Sequence, residues 1–313
     1  MNVDASVGTL FETLREKLDL HWAGGRTGHS RSIKNPESDA TRTALVGHLN
    51  LIHPNRVQVL GNSEIRYLRR LNADSRRDLI EQLFDGTSDL VVIGDACETP
   101  EDIKQRSEAS ATPLLHSSLP TVQLVNYLQY YLTNLFAEKI TLHGVFMEVF
   151  SVGMLITGDP SVGKSELALE LVARGHRLVA DDAPVFAKTS PDTLNGRCPE
   201  ILRDFLEVRG LGILNIRVMF GDSAIKQARN LRLILKLVSM SEEQMHSIDR
   251  LHGARSRQTI LGVDIPEITL PVAPGRNLAV LAEAAARNHA LLCKGFDAAR
   301  LFMDRQARFM DNS

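Results

Sequence analysis

Gly158-Asp159-Pro160-Ser161-Val162-Gly163-Lys164-Ser165 is the stretch on which the reading of this chain turns. It follows Met154-Leu155-Ile156-Thr157, a short apolar run that reads as a buried strand. Leu167, Ala168, Leu171 and Val172 then recur at helical spacing up to Gly175, a residue type that ends helices. Strand, G-x-x-x-x-G-K-S loop and helix in that order are the context that makes this pattern a phosphate-binding loop. Its glycines let backbone amides curl around phosphate oxygens, and the helix start adds partial positive charge. Lys164 is placed to reach the outer phosphates, and Ser165 offers a hydroxyl to Mg2+. Pro160 has no amide hydrogen, so the cradle has one donor fewer there. The expected ligand is ATP with Mg2+, held by Gly158, Asp159, Pro160, Ser161, Val162, Gly163, Lys164 and Ser165.

Downstream, Arg177-Leu178-Val179-Ala180-Asp181-Asp182 reads as a strand ending in two acids, the first of them 17 positions after Lys164. In a parallel sheet this would be the next strand, with the acids beside the phosphate loop. A carboxylate there can orient a metal or take a proton from an attacking hydroxyl. Adjacent acids on a strand point to opposite faces, so the two are expected to differ in role. Glu207-Val208-Arg209-Gly210-Leu211-Gly212 holds an acid that could ligate a metal and a guanidinium that could face phosphate. Composition alone favours an ordinary turn with a surface ion pair. Asn277 is expected to cap a helix carrying Leu278, Leu281, Ala282 and Ala285, and Phe296 to Phe309 reads as an amphipathic helix packed on the core.

Upstream, Leu10, Phe11, Leu14 and Leu18 predict a helix, Gly24 to Thr43 a loop, and Arg56 to Gly61 a strand. Ser63 and Thr121 are candidate caps for the helices after them. Leu90-Val91-Val92-Ile93 and Thr112-Pro113-Leu114-Leu115 predict buried strands, and Leu124, Leu128, Leu132 and Leu135 share one helix face. His143 to Val149 alternates like a strand. The fold expected is α/β in two domains, an N-terminal α/β domain over 1–134 and a phosphate-loop catalytic domain over 135–313.

A net charge of -2 over 313 residues supplies no basic field, so no nucleic-acid partner is expected. Cys97, Cys198 and Cys293 are isolated and form no CxxC pair, which gives no disulfide framework and no zinc site. No run of about 18 apolar residues exists, so no membrane partner is expected. The opening residues lack a basic-then-apolar signal, and the cytoplasm is the expected location.

Several separated blocks then coincide with one family. They are Arg56-Val57-Gln58-Val59-Leu60-Gly61-Asn62-Ser63-Glu64, His143-Gly144-Val145, the phosphate loop continued through Leu171, and Arg174-Gly175-His176-Arg177-Leu178-Val179-Ala180-Asp181-Asp182. Glu207 to Gly212 and Pro274-Gly275-Arg276-Asn277-Leu278-Ala279-Val280 complete the set. In this order they resemble bacterial HPr kinase/phosphorylase. The resemblance implies ATP- and Mg2+-dependent phosphorylation of a serine of the phosphocarrier protein HPr, with pyrophosphate able to replace ATP. It also implies removal of that phosphate by inorganic phosphate, and a homohexamer. By the same resemblance His143, Lys164, Asp182 and Arg250 match active-site positions, Asp182 being base in one direction and acid in the other. Ser165 and Glu207 match metal ligands, residues 206–215 a segment needed for both activities, and 271–276 one linked to dephosphorylation. Pro160 and Ser161 stand where the family commonly has Ser and Gly, and Ala273 where an arginine is usual. The readings from other classes are a small-molecule or carboxykinase-like kinase, and a nucleotide-binding regulator without catalysis.

Overall fold

The computed structural model describes residues 5–35, 44–239, 254–273 and 275–311. Two compact units part between Phe136 and Ala137.

The first unit runs α1 (Val7–Leu18), β1 (Leu20–Gly24), β2 (Val46–His48), β3 (Val57–Leu60), α2 (Asn62–Arg70), α3 (Ala73–Leu83), β4 (Leu90–Ile93), α4 (Glu101–Ser110), β5 (Leu114–Ser117) and α5 (Thr121–Phe136). Its sheet has the order β1-β5-β4-β3-β2, with β2 to β5 parallel and β1 antiparallel at the edge. The apolar runs of β3 and β4 are buried throughout, as parallel strands covered on both faces require. Alternation sorts them. Val57, Val59, Leu90 and Val92 face α1 and α5, while Leu60, Val91 and Ile93 face α2, α3 and α4. Each such buried side chain contributes about 1.5–3 kcal/mol.

The helix starts differ from expectation. Ser63 does not cap α2, which begins one residue earlier, at Asn62; the Gly61 amide donates to Glu64 Oε2 at 2.8 Å. Thr121 is the first residue of α5, and its amide donates to Asp95 Oδ1 at 2.9 Å. Asp95 Oδ2 accepts from the Asn62 amide at 3.0 Å, so one carboxylate serves two helix starts. The sequence pattern could not show this, because the capping residue comes from another strand end. The loop expected over 24–43 begins as the last residue of β1 and a 3-10 turn at Arg26–Gly28; residues 36–43 lie outside the described residues.

The second unit contains β6 (Lys139–Thr141), β7 (Val145–Val149), β8 (Val152–Gly158), α6 (Lys164–Ala173), β9 (Arg177–Ala180), β10 (Val185–Ser190) and β11 (Thr193–Arg197). There follow a two-stranded hairpin of β12 (Phe205–Val208) and β13 (Gly212–Asn215), the short α7 (Ile216–Phe220), then β14 (Ala228–Ser239), β15 (Ala254–Ile260) and β16 (Val263–Val272). The main sheet has the order β6-β10-β11-β14-β8-β7-β9, and β16 joins β14 with β15 beyond it. One face, with Met147, Met154, Ile156, Leu233, Leu235 and Leu237, packs on α6 and on the helix Leu278–Cys293. The other, with Phe146, Leu155 and Ile234, packs on side chains of β10, β11, β15 and β16.

Asn277 caps Leu278–Cys293 as expected, its Oδ1 accepting from the Val280 amide at 3.0 Å. The final helix, Ala298–Asp311, does not pack on the core: Phe302, Phe309 and Met310 are 55%, 75% and 66% exposed. Its period correctly marks an apolar face, but a period does not say what covers it.

Candidate active site

The phosphate loop joins β8 to α6. Gly158 has φ 142°, and a Cβ there would stand 2.4 Å from the Leu237 carbonyl oxygen of the neighbouring β14, so only glycine fits. Gly163, at φ 100°, turns the chain into α6, whose start receives no side-chain cap. Ser161 lies in the left-handed region at φ 67°, unusual for a non-glycine residue. Its Oγ accepts from Arg209 Nη1 at 2.5 Å. Arg209 therefore sits on the phosphate loop rather than in the surface ion pair that composition favoured. Lys164 Nζ donates to the loop's own carbonyls, Gly158 O at 2.9 Å and Asp159 O at 3.0 Å. The ammonium lies across the loop mouth, with protons that phosphate oxygens can compete for.

Asp181 and Asp182 follow β9, which is not the immediate neighbour of β8. The antiparallel β7 lies between them, pairing Val145 with Ile156 of β8 and Phe146 with Ala180 of β9. The expected adjacency is thus corrected by one strand. Two antiparallel pairings leave β8 and β9 pointing the same way, so the acids still emerge at the phosphate-loop end. The strand between them begins just after His143, which brings that residue to the same end. The Gly144 amide donates to the Asp182 carbonyl at 3.2 Å. His143 Nδ1 and Asp182 Oδ1 stand 3.8 Å apart, within ion-pair reach but longer than a hydrogen bond. Both side chains are open to solvent, 92% and 80% exposed. Asp182 holds φ 64°, a strained position that aspartate tolerates better than most residues.

Both acids lie past the end of β9, so strand alternation does not sort them; the left-handed turn at Asp182 does, and Asp181 is only 8% exposed. Burial pushes its carboxyl above the ordinary value, and the charges of Asp182 and Glu207 push the same way against the backbone amides that hold it. Its Oδ2 accepts from the Glu207 amide at 2.8 Å. Sequence reasoning missed this tie between the acid pair and the hairpin, for the two are 26 residues apart and the donor is backbone. The Glu207 side chain itself is exposed, between the buried Leu206 and Val208.

Strand β16 runs parallel to β14 and ends beside it, Ser239 facing Val272, so residues 271–273 also reach this end of the sheet. Arg250 and Pro274 lie outside the described residues. Among the described residues no three His, Cys, Asp or Glu side chains form a metal-holding group. A nucleotide-borne Mg2+ takes most of its ligands from phosphate and water and one or two from protein. Ser165 on the first turn of α6 and the exposed Glu207 are fit for that part, and the uncapped helix start fits phosphate. Cys198 is unfit as a nucleophile, since burial lifts its thiol to about 11.

Comparison with known proteins places the chain in a family. Residues 5–132 match the family model HPr Serine kinase N terminus, and residues 134–306 match the HPr Serine kinase C-terminal domain. This chain belongs to the HPr serine kinase family. It is 46% identical over 312 residues to the HPr kinase/phosphorylase of Stenotrophomonas maltophilia (strain K279a), covering 99% of each chain. It is 47% identical, with the same coverage, to the HPr kinase/phosphorylase of Xanthomonas axonopodis pv. citri (strain 306). A solved HPr(Ser) kinase/phosphatase structure from Coxiella burnetii is 36% identical, with a TM-score of 0.47, covering 52% of this chain and 98% of that one. The HPr kinase family is one of enzymes, so the reading as a regulator without catalysis falls away.

Proposed function

We propose that this enzyme moves a phosphoryl group from ATP to a serine hydroxyl of HPr or an HPr-like phosphocarrier, and removes it again with inorganic phosphate. The observation that carries the proposal is the exposed His143–Asp182 pair at the phosphate-loop end of the sheet. An open carboxylate can meet a side chain presented by another protein.

In the forward direction the phosphate loop and Lys164 hold the nucleotide's outer phosphates. Asp182 takes the proton of the seryl hydroxyl as the new P–O bond forms and the bond to ADP breaks. In reverse, inorganic phosphate attacks the phosphoserine, Asp182 returns the proton to the departing seryl oxygen, and pyrophosphate leaves. His143, 3.8 Å from Asp182, can steady its charge. Arg209, already on the loop through Ser161, can neutralise charge on the transferring group. Arg250 takes the remaining active-site position by family resemblance. Mg2+, held by Ser165, Glu207 and the phosphates, would draw charge from the phosphate oxygens. Pyrophosphate as donor, a homohexameric assembly and a cytoplasmic location belong to the same reading and are supported by that resemblance. No helix among the described residues is long and apolar enough to cross a membrane.

The test is incubation with labelled ATP, Mg2+ and HPr. Label on an HPr serine, released as pyrophosphate when inorganic phosphate is added, is the expected outcome. ATP binding with no transfer to any HPr-like carrier would overturn the proposal.

A further inference from the structure

We propose that Asp181 is a positioning residue that holds Glu207 in place for the metal, rather than a metal ligand beside Asp182. The inference rests on the reading of Glu207 as a Mg2+ ligand and explains how that carboxylate is held. Glu207 lies on β12 of a ribbon with only two strands, a structure marginal on its own in water. Three anchors fix it. Leu206 and Val208, on either side, are sunk in the core at 0% and 3% exposure. The third anchor is the 2.8 Å hydrogen bond from the Glu207 amide to Asp181 Oδ2. A side-chain carboxylate thus does for this amide what a neighbouring strand would do in a larger sheet.

Alternation along β12 then sends the Glu207 side chain outward, free to choose a rotamer but not a location. Asp181 is turned inward at 8% exposure, while Asp182 faces solvent. The division of labour follows: Asp182 meets the substrate hydroxyl, Glu207 meets the metal, and Asp181 links the strand of the first to the ribbon of the second. Groups that hold a metal ligand in this way commonly affect metal affinity by about 10–100-fold.

The experiment titrates Mn2+ into the full chain with a non-hydrolysable ATP analogue, reading free Mn2+ by electron paramagnetic resonance. Asp181→Ala, which loses the acceptor, should weaken Mn2+ binding about tenfold, with metal-free nucleotide affinity unchanged. Asp181→Asn keeps an acceptor oxygen of the same reach and should stay within about twofold of the unaltered protein. In a Glu207→Gln background, adding Asp181→Ala should cost nothing further. If Asp181→Asn loses as much Mn2+ affinity as Glu207→Gln, Asp181 ligates the metal directly and the proposal is overturned; this comparison stands even if the alanine variant does not fold. Equal Mn2+ affinity in Asp181→Ala and the unaltered protein would overturn it as well. A Glu207→Gln variant with unchanged affinity would remove the metal role of Glu207 itself, a separate failure that takes the proposal with it.

Discussion

The two units solve the same electrostatic problem in opposite ways. Each places helix starts at the carboxyl ends of strands, where unsatisfied amides and the helix dipole call for negative charge. In the first unit that charge is built in: Asp95, after β4, accepts from the starts of α2 and α5 with its two oxygens. In the second, Gly163 opens α6 without a side-chain cap, and Lys164 adds a further cation at the opening. A carboxylate supplied by the chain makes one such place structural. The lack of one leaves the other open to a phosphate from outside.

The comparison can be broken most directly at Lys164. Lys164→Ala should reduce phosphoryl transfer by about 10³-fold or more and abolish tight ATP binding, with little change in thermal stability. Persistent tight binding would mean that the amides alone hold the phosphates. Asp182→Asn should lower transfer by about 10²-fold or more while ATP binding stays, a separation of chemistry from binding that single-turnover assays can read. Unchanged turnover would refute its role as base. Asp95→Ala should do the reverse, costing the first unit about 2 kcal/mol, roughly 1 kcal/mol per lost cap, with ATP binding by the folded protein intact. Urea unfolding measures the first and equilibrium dialysis the second. A loss of ATP affinity instead would make Asp95 part of the nucleotide site.

A smaller effect belongs to Glu283. Its carboxyl is held down to about 2, chiefly by the hydrogen bonds from Arg174 and also by His176. A depressed acid stabilises the fold above its ordinary value of 4.5, and that contribution is lost as pH falls from there towards about 2. Arg174 is partly exposed, so solvent screening keeps this contribution small. Glu283→Gln should flatten the fall of melting temperature with acid across that window. An unchanged slope would show that the cluster contributes little.

The strand, turn and helix around Gly158 to Ser165 were legible because the pattern is local: eight consecutive residues between a strand and a helix. Helix periods gave α1, α5 and Leu278–Cys293 for the same reason. What failed was whatever depended on a partner far along the chain. Ser63 looked like a cap, but Asp95, 33 positions from Asn62, has the better placed carboxylate. The Arg209 turn looked like surface until Ser161, 48 positions away, came within a hydrogen bond of it. Ser161 adopts a left-handed conformation, and its hydroxyl meets that arginine. The position of β9 was misjudged by one strand, because no local pattern reports that β7, the hairpin partner of β8, lies between the phosphate-loop strand and the acids.

That pairing has a kinetic consequence. β7 and β8 form one hairpin, closed at Phe150 and Ser151, whose φ values of 45° and 66° suit the tight turn between twisted strands. His143 and the phosphate loop, which lie together at the open end of this hairpin, are therefore joined by short-range contacts, which cost little loop closure and form early. Glu207 must wait for β9 to dock and for a chain segment of 26 residues to return to Asp181. In pulsed hydrogen exchange during refolding, the amides of Met147 and Met154, which pair across the hairpin, should gain protection before that of Glu207, and simultaneous protection would contradict this order. The open end of the hairpin would then be in place before the ribbon that carries Glu207 is tied to it.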